Sequence, residues 1–232
     1  MRIVSSLAFG SILGFGLSLS SFASAAPAGR EVAAAEIAGK LALSVMRYKL
    51  TDGGLKLTLV ITPKGEKKSK SVTLYEGGAD EDGPTDKAFR SAAIEPFALP
   101  DGKRGVRVDF EFAVPGSKKH RQVDTFLASI EEAPRMVLEV TTRRERDRTK
   151  ACHEIEEGGL SLDKDGRLFL KPVSVLESEL NDDDLPIDKT CKGKHAGQQI
   201  TYKFDGDKFF QTDPPLAAPK KKAAPGEEEG ED

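Results

Sequence analysis

The stretch GVRVDFEFAV, residues 105–114, decides the class of fold that this sequence predicts. Apolar side chains stand at every second position from Val106 to Val114, and charged residues or alanine stand between them. Successive side chains of an extended strand point to opposite faces, so this period of two gives the strand one apolar and one polar face. Such a strand is typical of an antiparallel sheet that covers a core on one side and meets water on the other.

The same alternation recurs along most of the chain. Further stretches predicted as strands are 40–49, 55–62, 70–78, 135–143, 167–176 and 198–204. Asp52-Gly53-Gly54 and Asp205-Gly206 lie between or after such runs, and Asp-Gly pairs in this position indicate hairpins. We therefore predict a mostly β fold, an antiparallel β-sandwich or barrel-like hairpin assembly with at most one or two short helices.

Helix patterns are confined to two stretches. The alanine-rich stretch 29–40 predicts a short helix near the N-terminus, because alanine has the highest helix propensity. In the stretch 120–133 a helical stripe runs from Val123 to Ile130, but the same residues also fit a strand.

In the stretch 135–143, which is predicted as a strand, Met136, Leu138 and Val140 alternate and are predicted to face inward.

The N-terminal residues predict export of the protein, and the C-terminal residues predict a disordered tail. Residues 1–25 combine Arg2, an apolar stretch and the small residues Ala23-Ser24-Ala25, which is the pattern of a cleaved signal peptide. Residues 214–232 are rich in Pro, Ala and segregated charge, which predicts a disordered charged tail. We expect a periplasmic or secreted protein with no transmembrane segment after signal cleavage.

Between these ends the sequence predicts two regions. We place an N-terminal antiparallel β region at 26–145 and a C-terminal β region with a disulfide at 146–213, because the composition turns sharply charged at 143–150. The net charge of −3 is close to neutral for this length, which predicts no nucleic-acid partner.

Cys152 and Cys191 are the two cysteines of the chain, and His153 and His195 stand close to them. This spacing raises two alternatives, a disulfide and a split metal site. Two thiols of an exported chain usually pair, and neighbouring residues on a strand point apart, so Cys152 and His153 do not readily ligate one ion. We therefore predict a Cys152–Cys191 disulfide, with no metal site and no cofactor.

A basic stripe follows the strand predicted at 135–143. Arg144, Arg146, Arg148 and Lys150 share one face if the strand continues, and this would be the face of its apolar residues. Arginine side chains match carboxylate and phosphate oxygens, so the stripe is our candidate binding site for an anionic envelope glycan, a lipid or an envelope protein. The alternative is a charged strand end whose arginines pair locally with Glu145 and Asp147.

The sequence predicts no catalytic residues. It lacks G-x-S-x-G, H-E-x-x-H, a phosphate loop and the dinucleotide glycine pattern. We expect an exported, non-catalytic binding or accessory β domain. Two alternatives stay open: a small envelope hydrolase that uses His153 and nearby glutamates in a polar cleft, and a structural or assembly protein that adds a strand to a partner.

Export generates the first prediction. When the chain is produced in a bacterium with its own N-terminal segment, we expect the purified protein to begin at Ala26 and to carry one oxidised cysteine pair. Intact-mass spectrometry with and without reductant measures both features. A mass that retains residues 1–25, or one that reductant does not change, would contradict the prediction.

Overall fold

The computed structural model describes residues 28–78, 83–114, 117 and 119–212. The predicted signal peptide and charged tail lie outside these residues. Within the described part of the chain the strands are antiparallel, and the one helical element is a short 3-10 turn at Pro100–Gly102. The mostly β fold predicted from the alternation is therefore confirmed.

Two sheets make up the structure. The first has four strands in the order β1-β2-β3-β4: β1 (Arg30–Ile37), β2 (Leu41–Lys49), β3 (Leu55–Pro63) and β4 (Lys70–Gly77). The nine strands of the second are β5 (Phe89–Ala98), β6 (Arg104–Ala113), β7 (Arg121–Ser129), β8 (Arg135–Thr149), β9 (Cys152–Leu162), β10 (Arg167–Ser178), β11 (Lys192–Ala196), β12 (Ile200–Phe204) and β13 (Phe209–Gln211). Their order is β13-β12-β10-β9-β8-β7-β6-β5, with β11 also paired to β10.

The helix predicted at 29–40 is wrong. These residues form β1, which pairs with β2 from Arg30 to Ile37 and packs the side chains of Val32 and Ile37 against the core. Pairing with β2 satisfies backbone groups along one edge of β1, and this pairing together with core packing exceeds the helix propensity of its alanines. For 120–133 the strand alternative is correct, because β7 occupies Arg121–Ser129.

The first core lies between the two sheets. On β3 and β6 the predicted alternation holds residue by residue, since the alternate apolar side chains are buried. The buried members from the first sheet are Leu43, Val45, Leu55, Leu57, Leu59, Ile61, Val72 and Leu74, and those from the second include Phe89, Val106, Val108, Phe110, Phe112 and Phe126. Around Phe110 the aromatic rings contact one another, with centroids 5.2 Å apart for Phe110 and Phe126.

A second core lies on the other side of β7. Leu127 follows Phe126 directly, so the two side chains point to opposite faces, and Leu127 belongs to the second core. The other buried members of this core are Leu99, Val137, Leu138, Leu168, Leu170, Tyr202 and Phe209. Strand β7 is therefore buried on both faces over most of its length.

Cys152 and Cys191 form the predicted disulfide, with Cα atoms 5.5 Å apart. The bond ties the start of β9 to the residue before β11 and closes a loop across 39 positions. On the chain-entropy model such a loop stabilises the folded state by about 4 kcal/mol.

The predicted boundary between the N-terminal and C-terminal regions, between positions 145 and 146, falls within strand β8. The division of the chain into these two regions stays a prediction. Among the described residues, no helix has the length and apolar character needed to cross a membrane.

Two residues that are inserted relative to β7 change the faces of β8. Leu127 pairs with Leu138 and Ala128 with Met136, so Val137 is an extra residue in β8. The extra residue reverses the alternation, and Met136 is 37% exposed while Val137 is buried. The predicted inward orientation of Met136 is therefore wrong. Thr142 is inserted in the same way, between Thr141, which pairs with Asp124, and Arg143, which pairs with Val123.

The first core generates the second prediction. We expect Phe110→Ala to lower the free energy of unfolding by about 3–5 kcal/mol, because truncation removes apolar contact and leaves a cavity. The matched control is Phe210→Ala, since Phe210 is 41% exposed, and it should change stability by less than about 1 kcal/mol. Urea denaturation measures both values, and equal losses in the two variants would contradict this account of the core.

Candidate functional site

The β8–β9 ribbon carries the residues with candidate chemistry. The two strands pair from Arg143 opposite Glu157 to Thr149 opposite Cys152. Thr142 is an extra residue relative to β7, so the alternation of Leu138 and Val140 is interrupted before Arg144. Beyond this bulge, Arg144 lies opposite Glu156 and Arg146 lies opposite Glu154. The ribbon therefore has an arginine face and, on its other side, a face that contains Glu145, Asp147 and His153.

On the arginine face, Arg146 and Arg148 share one carboxylate. Nε of Arg146 lies 2.7 Å from Oε2 of Glu154, and Nε of Arg148 lies 2.6 Å from the same oxygen. Nη2 of Arg148 donates to Oε1 of Glu154 at 3.0 Å. Two of the four predicted site residues are thus paired locally, as the alternative interpretation of the stripe proposed for its arginines, but with Glu154 as their partner.

Glu154 is the buried anion of this cluster, with a side chain 3% exposed. Hydrogen bonds from Arg148 and Arg146 lower the pKa of Glu154 from its ordinary value of 4.5 to about 2, against the opposing effect of burial. The hydrogen bond with Glu154 also raises the pKa of Arg146. A carboxylate held ionised between two guanidinium groups fixes both arginines against the sheet.

Arg144 differs from its neighbours. It is exposed and pairs in register with Glu156, yet no residue in the described ranges forms a hydrogen bond or ion pair with its side chain. Lys150 lies in the turn after β8 and is also exposed. The structure thus brings Arg146 and Arg148 together at Glu154, and it leaves Arg144 and Lys150 outside that cluster.

Arg144 lies at the edge of a pocket of about 260 Å³, which we call the Arg144 pocket. It forms where β8 and β9 part beyond Arg143 and Glu157. Its lining residues are Val140, Thr141, Thr142, Arg143, Arg144, Glu156, Gly158, Leu170, Pro172 and Ile200. A Cβ atom added at Gly158 would clash with the side chain of Leu170, so glycine at this position allows Leu170 to line the pocket.

The hydroxyl groups near this pocket are engaged elsewhere. Thr141 Oγ1 donates to Oδ1 of Asp124 at 2.7 Å, and the hydroxyls of Thr142 and Thr125 lie 2.9 Å apart in the interior. Arg143 bonds the carboxylate of Glu145, with Nη2 2.8 Å from Oε1. Of the two arginines that line the pocket, Arg144 is therefore the one whose guanidinium is open to a ligand.

A second site occupies the other face of the ribbon, and we call it the histidine pocket. His120 and His153 stack with ring centroids 4.7 Å apart and an interplanar angle of 11°. Nε2 of His120 lies 2.9 Å from Oδ2 of Asp147, and this contact lowers the pKa of the Asp147 carboxyl. The pocket has a volume of about 510 Å³, and its remaining lining residues are Ser117, Lys119, Glu177, Ser178 and Glu179.

Sequence reasoning missed this site. His120 precedes β7 and His153 lies on β9, and these strands flank β8, so the two histidines meet only through the order of the sheet. Neither position carries a spacing motif that would have linked it to the other. From the sequence, His153 is predicted to have no role beside the disulfide, because it points away from Cys152 on a strand. That prediction rests on the residues close to Cys152 and does not include His120.

The lining of the histidine pocket bears on the hydrolase alternative. His153 lies in a polar pocket with glutamates, as that alternative requires. The nearby hydroxyls, however, are bound to backbone: Ser117 Oγ accepts from the amide of His120, and Ser178 Oγ donates to the carbonyl of Glu179. Within the described lining no serine hydroxyl is hydrogen-bonded to a histidine ring, so the arrangement for an activated nucleophile is lacking there.

Comparisons of the chain with protein-family models, with curated proteins and with solved structures found no match.

The Glu154 cluster generates the third prediction. Because the pKa of Glu154 is lower in the folded state, the carboxylate contributes stability that is fully present above about pH 4.5 and is lost as the pH falls towards 2. The shift corresponds to about 3 kcal/mol at most. We expect Glu154→Gln to lower the free energy of unfolding at pH 7 and to flatten its dependence on pH between 5 and 2.

Urea denaturation at several pH values measures this effect. The control is Glu156→Gln, since Glu156 lies on the same strand and forms no hydrogen bond within the described residues. Glu156→Gln should leave the pH dependence as it is in the wild-type chain. A Glu154→Gln variant with the wild-type pH dependence would show that the carboxylate is not held by its arginines.

Proposed function

We propose that this protein is an exported, non-catalytic binding module that takes an anionic group at the Arg144 pocket. The observation that carries the proposal is the position of Arg144, a guanidinium without a carboxylate partner among the described residues, at the edge of a pocket with an apolar floor. Its planar fork suits the paired oxygens of a carboxylate or a phosphate.

The charge of the arginine face supports an anionic ligand. Four cations of the face and its end, Arg144, Arg146, Arg148 and Lys150, outnumber its two carboxylates, Glu154 and Glu156. Glu154 binds two of the cations at once, so that cluster keeps a net positive charge. An anion that approaches the pocket meets this potential before it reaches Arg144, which favours its capture.

The shape of the pocket limits what the ligand can be. The floor is formed by Val140, Leu170, Pro172 and Ile200, while the volume is only about 260 Å³. A ligand that uses both features joins one acidic group to a small apolar group. An envelope glycan, lipid or protein would present such a group as one part of a larger surface.

Export is part of the proposal and rests on two observations. The Cys152–Cys191 disulfide suits an oxidising compartment, and the N-terminal residues have the pattern of a signal peptide.

The alternative of assembly by strand addition receives less support from the edges of the second sheet. The second sheet ends at β5, which contains Pro96, and at β13, which has three residues. Proline removes a backbone donor and a short strand offers few, so both features disfavour the addition of a further strand.

The fourth prediction tests the proposed ligand chemistry with small probes. We expect benzoate and phenyl phosphate to shift the backbone amide signals of residues around the Arg144 pocket in NMR titrations. Benzamide is a neutral molecule of similar shape. Its affinity should be at least about 10-fold lower than that of benzoate, because a charge-assisted hydrogen bond contributes about 1.5–3 kcal/mol. Added salt should weaken the binding of both anions.

Arg144→Gln is the decisive variant and should weaken the binding of benzoate about 10-fold or more. Arg167→Gln is its control, since Arg167 is another exposed arginine but is paired with Asp163 and Asp165. Wild-type affinity in Arg144→Gln, or equal affinity for benzoate and benzamide, would overturn the proposal. Loss of binding in Arg167→Gln would place the anion site elsewhere.

A further inference from the structure

We propose that a divalent transition-metal ion binds beside the histidine pocket, with His120, His153 and Glu145 as its protein ligands and Zn²⁺ as the ion that suits them. One ring nitrogen of each histidine and one carboxylate oxygen of Glu145 lie within 4.8 Å of one another. This site is separate from the Arg144 pocket, on the opposite face of the β8–β9 ribbon.

His120 is the best-defined ligand. Its side chain is buried to about nine-tenths, and its Nδ1 atom is inaccessible and has no hydrogen-bond partner in the described structure. Nε2 faces Asp147 at 2.9 Å, so the carboxylate holds the ring proton on Nε2 and leaves the lone pair on Nδ1. A carboxylate that fixes the tautomer of a histidine in this way is the usual outer partner of a metal-bound imidazole.

His153 supplies the second nitrogen. Its Nδ1 atom is also inaccessible and without a hydrogen-bond partner, and it lies 3.8 Å from Oδ1 of Asp147. The strand register places His153 opposite Asp147, and the disulfide at Cys152 fixes the residue before it. Two buried, unpartnered nitrogens in neighbouring rings are costly for the fold, since each has lost water without gaining another partner. A bound cation would satisfy both.

Glu145 supplies an anionic oxygen that is already oriented. Arg143 donates to Oε1 through Nε at 3.0 Å and Nη2 at 2.8 Å, and the backbone amide of Arg121 donates to Oε2 at 3.1 Å. Oε2 thus keeps a free lone pair, while Oε1 remains bound to Arg143. Metal-ligating carboxylates are commonly held by such outer hydrogen bonds.

The donor set points to the kind of ion. Two imidazole nitrogens and one carboxylate suit Zn²⁺, Cu²⁺ or Ni²⁺, whereas Ca²⁺ and Mg²⁺ prefer shells of oxygen. Zn²⁺ binds at about 2.0–2.2 Å, which requires ligand atoms about 3.5 Å apart, so donor atoms that lie up to 4.8 Å apart draw together by about 1 Å at most on binding.

The fifth prediction tests the site with Zn²⁺ alone. Isothermal titration of the tag-free, chelator-treated full chain should show one ion per chain, and Zn²⁺ should raise the melting temperature. His153→Ala should weaken the affinity by about 100-fold, because a ligand is lost. His195→Ala is the matched control, since His195 is the remaining histidine and is exposed on β11, and it should bind Zn²⁺ as the wild-type chain does.

Two more measurements separate ligands from structural residues. Asp147→Asn should weaken Zn²⁺ binding about 10-fold, while the melting temperature without metal should change little because Asp147 is 64% exposed. The Co²⁺-loaded chain should show visible absorption bands that His153→Ala removes. Asp147→Asn and His153→Ala decide whether the site binds metal even if a His120→Ala variant fails to fold. Absence of Zn²⁺ binding by the folded wild-type chain, unchanged binding in His153→Ala, or loss of binding in His195→Ala would overturn the proposal.

Discussion

Strand β7 is buried on both of its faces, and the rest of the structure is arranged around this constraint. Phe126 enters the core between the two sheets, and Leu127 enters the second core formed with the C-terminal strands. Neither core can form without β7, because each takes side chains from it. The strands that flank β7 must therefore pair with it while its two faces are covered by the two cores.

Two bulges in β8 accommodate its pairing with β7. An inserted residue bends a strand and reverses its alternation. At Thr142 this insertion turns Glu145 inward and leaves Arg144 exposed. The two candidate sites follow from it, since the Arg144 pocket opens where β8 and β9 part, and Glu145 meets the histidines on the opposite face. The disulfide ties the start of β9 in this ribbon to Cys191, the residue before β11.

Electrostatic pairing decides which charged residues remain available to a ligand. Glu154 is buried between Arg146 and Arg148, and its lowered pKa reflects how firmly they hold it. Arg144 belongs to the same run of sequence but has no such partner in the described structure. In the histidine pocket, Asp147 and Arg143 hold His120 and Glu145 and leave unpartnered atoms between them. Both proposals rest on groups that have no hydrogen-bond partner within the described structure.

The sequence by itself determined the strands whose one face is buried, such as β3 and β6, because period-two alternation directly reflects burial on one side. It also determined the disulfide, because the chain has two cysteines. Strand β7 was ambiguous because burial on both faces removes the alternation. Only the tertiary structure decided the orientation of Arg144, which depends on a bulge, and the meeting of His120 with His153, which depends on strand order. Both are set by pairing between distant segments, and no local pattern records that pairing.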